Sequence, residues 1–332
     1  MDKKKFNWGI LSTAKIGRKN VVPALKRADN CEVVAIASRN KENAEETAQD
    51  LGIKKSYGSY EELFLDKDID VIYNPLPNNL HLEYTLKALE HGKHVLCEKP
   101  IGLNAKEVAL LNEELKKHPD LKVMEAFMYK FHPQWIKAKE IIKNGDIGEI
   151  ISINTLFSYY NKDGQNIRNQ TDAGGGALMD IGCYCISFPR FILEAEPLSV
   201  FGSVQKDPVF KTDFLTSGIL HFDKQVVATF SCSTQAYPYQ RCHIIGNKGR
   251  IEIEFPCNAP TDAECKIILN NAEGKNEFVF KANQYQLQCK AFADAILTGS
   301  EVPYSLNDAE NNMKVIDAII QSAASESLIK IV

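Results

Sequence analysis

From Phe6 to about Ala126, short apolar runs alternate with amphipathic stretches. That pattern marks strand–helix–strand units, the building blocks of a parallel sheet. The apolar runs predict strands at 8–11, 32–37, 71–74, 94–97 and 122–125. The clearest helix between them opens at Asn104, a capping residue with Glu107 three places on, and carries Val108, Leu111 and Leu115 as one apolar stripe. A second spans 80–91 and stops at Gly92, a residue that ends helices in the left-handed conformation. Pro23 falls inside the first helical pattern and is expected to kink or shorten that helix.

Past Phe127 the pattern changes. Residues 133–143 read as a helix closed by Gly145, 149–159 as a long, partly alternating strand, and 177–193 as a helix. Strands follow at 198–204, 214–222, 226–235, 240–246, 250–255, 265–269 and 277–281, with Asp223-Lys224 and Asn247-Lys248-Gly249 as tight turns. Consecutive strands on short turns predict an antiparallel sheet. Two closing helices, 285–297 and 306–325, are expected to pack back on the body. The expected fold class is therefore α/β over 1–126, joined to an α+β domain over 127–332 built on a large, mainly antiparallel open sheet. That sheet has helices for one face only, so its other face must be wet or paired, and a homodimer through it is expected.

A length of 332 residues suits two domains. No run approaches the roughly 18 apolar residues of a membrane span, and Met1-Asp2-Lys3-Lys4-Lys5 leads into a strand instead of a leader peptide, so a cytoplasmic protein with no membrane partner is expected. A net charge of −4 offers no footprint for nucleic acid. Nine cysteines, an odd number scattered through apolar segments, read as reduced, buried thiols. Cys183 and Cys185 make C-x-C and not C-x-x-C, and no His/Cys cluster has zinc-like spacing, so no metal is expected.

The candidate chemistry lies at strand ends. Gly9 to Gly17 joins the first strand to the first helix, where a dinucleotide-binding turn places its glycines. Only the first such glycine is present. Ser12 and Ala14 stand at the other two places, small enough to let a pyrophosphate approach the backbone, with Thr13, Lys15 and Ile16 beside them. The second strand ends in Ser38-Arg39, where an NAD-binding protein carries an acid for the ribose. A hydroxyl and a guanidinium suit a 2′-phosphate instead, which favours NADP over NAD. The third and fourth strands run into Pro75, Leu76, Asn79 and His81, and into Glu98-Lys99-Pro100, all at the sheet edge where ligands of open α/β folds bind.

With these residues in place, the chain resembles the glucose-fructose oxidoreductase / inositol dehydrogenase / rhizopine-catabolism (Gfo/Idh/MocA) family, in the branch of dihydrodiol dehydrogenase and NADP-dependent D-xylose dehydrogenase. The likeness runs nearly end to end. It rests on residues 8–17 and 74–81, Glu98-Lys99-Pro100, the stretch 125–129, Phe131-His132-Pro133-Gln134, and the stretch 174–184. It implies an N-terminal Rossmann domain for NADP and a C-terminal domain for substrate and dimerisation. Lys99 matches the family's catalytic lysine and Asp180 the aspartate of its second catalytic motif. Where much of the family has a histidine four residues after that aspartate, this chain has Tyr184, as the dihydrodiol dehydrogenase branch does.

The resemblance implies a mechanism. Tyr184 exchanges the hydroxyl proton, Lys99 favours the phenolate, and Asp180 orients the substrate hydroxyl or Lys99, while hydride passes between the substrate carbon and the nicotinamide. On a helix, Asp180 and Tyr184 are i and i+4 and face one way. Tyr129 and His132 are expected at the substrate, with Lys130 and Gln134 beside them. Met128 and Arg168 are expected to border the cofactor. Tyr285 and Gln288 suit packing better than ligand contact. A sugar, anhydro-sugar or cyclic trans-diol is the expected substrate. The alternative is an NADP-binding sugar sensor without turnover, since fold alone does not fix function.

Overall fold

The computed structural model describes residues 5–331. Met1, Asp2, Lys3 and Lys4 of the basic start, and Val332, lie outside the described residues. The chain divides into two compact units. The first holds the chain up to Phe127 with Tyr285–Glu310, and the second Met128–Gln284 with the chain from Asn311 on.

Unit 1 carries a parallel sheet of β1 (Phe6–Leu11), β2 (Cys31–Ala37), β3 (Lys55–Tyr57), β4 (Val71–Asn74), β5 (His94–Cys97) and β6 (Val123–Glu125), in the order β3-β2-β1-β4-β5-β6. Trp8, Ile10, Ile36, Ile72, Tyr73, Val95 and Leu96 are buried, as strands covered on both faces require. The helices are α1 (Val22–Arg27), α2 (Lys41–Leu51), α3 (Tyr60–Leu65), α4 (His81–Glu90) and α5 (Ala105–Leu115). Capping of α5 follows its sequence: Asn104 Oδ1 accepts from Glu107 N at 3.0 Å, and Glu107 Oε2 accepts from Leu103 N at 2.8 Å. At Pro23 the helix is not straight α: a π-helical turn, Gly17–Val21, directly precedes α1, and the proline stands at the second position of α1. Strand β3 has three residues and no apolar alternation, so the sequence pattern missed it.

Unit 2 is built on a nine-stranded sheet, to which β7 (Ile150–Tyr160), β8 (Ser199–Lys206), β9 (Asp213–His221), β10 (Val227–Ser233), β11 (Gln235–Gly246), β12 (Gly249–Ile253), β13 (Cys265–Asn271), β14 (Gly274–Phe280) and β15 (Ile329–Lys330) contribute. Its order is β14-β13-β12-β11-β7-β10-β9-β8-β15. The antiparallel expectation holds except at the centre, where β7 and β10 run parallel from Val227↔Ser152 to Ser233↔Ser158. A helix and the β8–β9 pair intervene between those strands, and a chain that crosses over in this way can return in its original direction. The remaining helices are α6 (Pro133–Lys143), α7 (Cys183–Leu193), α8 (Gln284–Thr298) and α9 (Leu306–Ser325).

The stretch Thr171–Leu193 is long and apolar enough to pass for a membrane span, yet most of its apolar window is buried, as in a core helix. Trp135, Phe188 and Ile192 pack there.

Candidate active site

In unit 1 the order of strands reverses between β1 and β4, and at such a point the carboxyl ends of a parallel sheet open a crevice. The β1 turn lies on that edge. Ser12 takes a left-handed φ of 69°, and its Oγ accepts from Ala14 N at 3.3 Å, so a hydroxyl residue makes the bend that a glycine makes in the usual fingerprint. At the end of β2, Ser38 Oγ accepts from Asn40 N at 3.2 Å, and Asn40 caps α2 through Asn43 N at 3.0 Å. Ser38 is buried, while Arg39 and Lys15 are exposed. A serine, an arginine and the start of a helix thus follow one another at one strand end, a composition that suits a phosphate.

The Glu98-Lys99-Pro100 loop is held from several sides. Glu98 N donates to Asn74 O at 3.0 Å, and Tyr73 Oη donates to Glu98 Oε1 at 2.6 Å. Burial, and then the Glu98 carboxylate, push the Tyr73 phenol upward, so it remains a donor. Beyond the cis Lys99–Pro100 bond, Ile101 N donates to Glu125 Oε1 at 2.9 Å. The His81 ring joins this loop to the preceding one, with Nδ1 2.7 Å from Pro100 O and Nε2 2.7 Å from Leu76 O. Burial lowers His81 to about 4 against the pull of the two carbonyls, and the Lys99 charge works in the same direction as burial. The neutral ring can donate to only one of the carbonyls. Pro75 and Leu76 are buried in this loop, and Asn79 is exposed on the short helical turn Asn78–Leu80.

In unit 2 the second motif rides on a π-helical turn, Leu178–Gly182, continued by α7. Widened turns of this kind recur at functional sites, and apolar periodicity cannot tell them from α-helix. Asp180 lies on the π turn and Tyr184 on α7. Tyr184 Oη donates to Met128 Sδ at 3.3 Å. Asp180 Oδ2 accepts from Tyr159 Oη at 2.6 Å and from Arg168 Nε at 2.8 Å.

Two groups absent from the sequence reading therefore matter here. Tyr159 is one, and the other is Asp213, whose Oδ2 accepts from Leu178 N at 2.7 Å and from Thr216 Oγ1 at 2.9 Å and so anchors the start of the motif. Neither carries a sequence signal, because each meets the motif only through sheet pairing.

The glycine run before the motif is explained by close approaches. A Cβ on Gly175 would fall 2.5 Å from Arg168 O, and one on Gly176, whose φ is +119°, 1.9 Å from Asp213 Oδ1. Gly176 N donates to Arg168 O at 2.8 Å, which ties the Arg168 loop to the motif.

The residues expected at the substrate also make contacts within unit 2, and the Tyr129 ring meets that of Tyr184 at 6.0 Å. Tyr129 is fully buried, with Oη 2.7 Å from Ser187 Oγ and its ring edge-on to Phe188 and Trp135. His132 caps α6, accepting at Nδ1 from Gln134 N at 3.2 Å, and burial lowers it to about 4. Gln134 donates to Phe255 O at 2.7 Å, and Lys130 is buried. Met128 is beside Tyr184 and Arg168 beside Asp180, in addition to any part they take at a cofactor. Tyr285 and Gln288 are buried on α8 of unit 1. Among the described residues no group of three or more His, Cys, Asp or Glu side chains could hold a metal ion.

Comparison with known proteins matches residues 6–127 to the oxidoreductase family with the NAD-binding Rossmann fold, and residues 135–252 to the GFO/IDH/MocA C-terminal domain. A D-xylose 1-dehydrogenase (NADP(+)) of Haloferax volcanii is 34% identical over 326 residues, 98% of this chain and 99% of its own. A trans-1,2-dihydrobenzene-1,2-diol dehydrogenase of Xenopus tropicalis is 36% identical over 278 residues, 81% of this chain and 80% of its own. Among solved structures, a 3-ketoreductase from Actinomadura kijaniata in complex with NADP and TDP-benzene superimposes with a TM-score of 0.91 at 28% identity, covering 96% of this chain and 98% of its own.

Proposed function

The chain belongs to the GFO/IDH/MocA family of oxidoreductases, and we propose that it is an NADP-dependent enzyme acting between CH–OH and C=O groups of a sugar, an anhydro-sugar or a cyclic trans-diol. One observation carries the reading: the β1 turn, the Ser38-Arg39 end of β2 and the braced Lys99 loop share the carboxyl edge of one parallel sheet at its reversal point. When bound, the nicotinamide supplies or accepts the hydride. The rest falls to side chains. Ser38 and Arg39 bind the 2′-phosphate, and the Ser12–Ile16 turn faces the pyrophosphate. Lys99 brings positive charge to the reacting oxygen, Tyr184 exchanges its proton, and Asp180 orients it.

The test is a panel of D-xylose, D-glucose, levoglucosan and a cyclic trans-diol with NADP+ and NAD+, followed at the reduced-nicotinamide absorbance. Turnover of at least one member is expected, with NADP+ preferred by roughly tenfold or more, the scale of one charge-assisted phosphate contact. Tight NADP binding without turnover across the panel would assign the protein to the sensors.

The same proposal includes a homodimer through the open face of the nine-stranded sheet. Leu156, Phe201, Ile219 and Tyr239 are exposed on strands of that sheet. Polar pairs flatten the same face, among them Ser217 with Ser231 at 2.7 Å and Thr229 with Asn154 at 2.7 Å. Exposed apolar side chains gathered on one face favour a partner. Light scattering at micromolar concentration is expected to return twice the mass of one chain, and a monomer mass rejects the dimer. A cytoplasmic location completes the proposal, supported by nine free cysteines, all buried.

A further inference from the structure

We infer that Tyr159 is a positioning residue for this chemistry: together with Arg168 it fixes the Asp180 carboxylate in one orientation and keeps it an acceptor. The inference rests on the dehydrogenase reading above and adds to it a residue of the central strand. Both donors converge on the same oxygen, Oδ2, at 2.6 and 2.8 Å, so the carboxylate cannot turn without breaking two charge-assisted bonds.

The strand explains why this position serves. Phe157 and Tyr159 are two residues apart on β7 and point to the same face. Phe157 meets the Tyr184 ring at 6.3 Å, and Tyr159 meets Asp180. One strand face thus sets both proposed catalytic side chains.

Fold stability alone does not account for the contact. The start of the motif is already anchored by Asp213 on Leu178 N, and the Arg168 loop by Gly176 N on Arg168 O. Removing the Tyr159 hydroxyl leaves both anchors in place.

Tyr159 stays a donor. Burial, and then the negative charge of Asp180, push its phenol above the usual range, against a smaller opposing effect from Arg168. Ionisable groups of unit 2 around this pair include, among the described residues, Cys232 on β10, Cys183 and Tyr184 on α7, and Asp213 on β9, which faces Cys232. Cys232 is held as a thiol by burial, so it does not compete as a base.

The test is a double-mutant cycle. Tyr159→Phe keeps the ring and is expected to lower kcat about tenfold with the KM for NADP unchanged. In an Asp180→Asn background the same change is expected to have almost no further effect, because coupled groups are not additive. Arg168→Met, which removes the other donor, is expected to show the same non-additivity.

Wild-type kcat in Tyr159→Phe, or a loss equally large in the Asp180→Asn background, overturns the inference. Should the wild-type enzyme turn over no substrate, the dehydrogenase reading fails by itself. A crystal structure of Tyr159→Phe then decides: a rotated or split Asp180 carboxylate sustains the positioning role, and an unmoved one ends it.

Discussion

Lys99→Ala is expected to lower kcat by about a thousandfold while leaving NADP affinity within a few-fold of wild type. A positioned proton-transfer group contributes roughly 10² to 10⁴ in rate, and loss of a charge at the reacting oxygen costs a similar factor. The loop should survive the change. Its braces act on backbone atoms, Pro100 O through His81 and Ile101 N through Glu125, and on the neighbouring Glu98 side chain through Tyr73, so none of them uses the lysine amine. Tyr184→Phe is expected to lower kcat by about a hundredfold, the loss of a positioned proton-transfer group. Steady-state kinetics beside a fluorescence titration with NADP separates the two effects. Either variant within threefold of wild-type kcat would remove that residue from the proposed chemistry.

The largest structural effect is expected at Gly176. An alanine there must take a φ of +119°, a region that side chains avoid at a cost of roughly 1–3 kcal/mol. Its Cβ would also lie 1.9 Å from Asp213 Oδ1. The carboxylate would have to leave Leu178 N, and losing a hydrogen bond to a charged group costs about 1.5–3 kcal/mol more. The sum is about 2.5–6 kcal/mol, a large part of the stability of an ordinary domain. Gly145→Ala is the control. Its φ is +80°, but nothing lies within 4 Å of an added Cβ, so only the conformational cost applies, about 1 kcal/mol. Urea unfolding of both variants checks the contrast, and equal midpoints would show that Asp213 yields without penalty.

What the chain reveals without a structure follows from local physics. Strands β4 and β5 and helix α9 have the bounds expected from periodicity, and the Asn104 cap forms with Glu107 as its spacing requires. The places of the turn after β1 and of Ser38-Arg39 just past β2 were also legible, since each lies within one short segment. Strand β3 was not, because three residues carry too little pattern. The π turn beneath Asp180 was missed because its apolar positions satisfy an α-helix equally well. Arg168 was read as bordering the cofactor, and its pairing with Asp180 appears only once the Gly176 N bond to Arg168 O folds the loop back.

The sequence by itself determined the two domain types, because each depends on a pattern of neighbouring residues. The tertiary structure alone decided that β7 and β10 run parallel, that Tyr159 grips Asp180, and that Asp213 anchors the helix start. The two side-chain contacts join positions 21 and 35 residues apart. No spacing rule encodes such pairs, since strand register and crossover direction are set by the packing of the whole sheet.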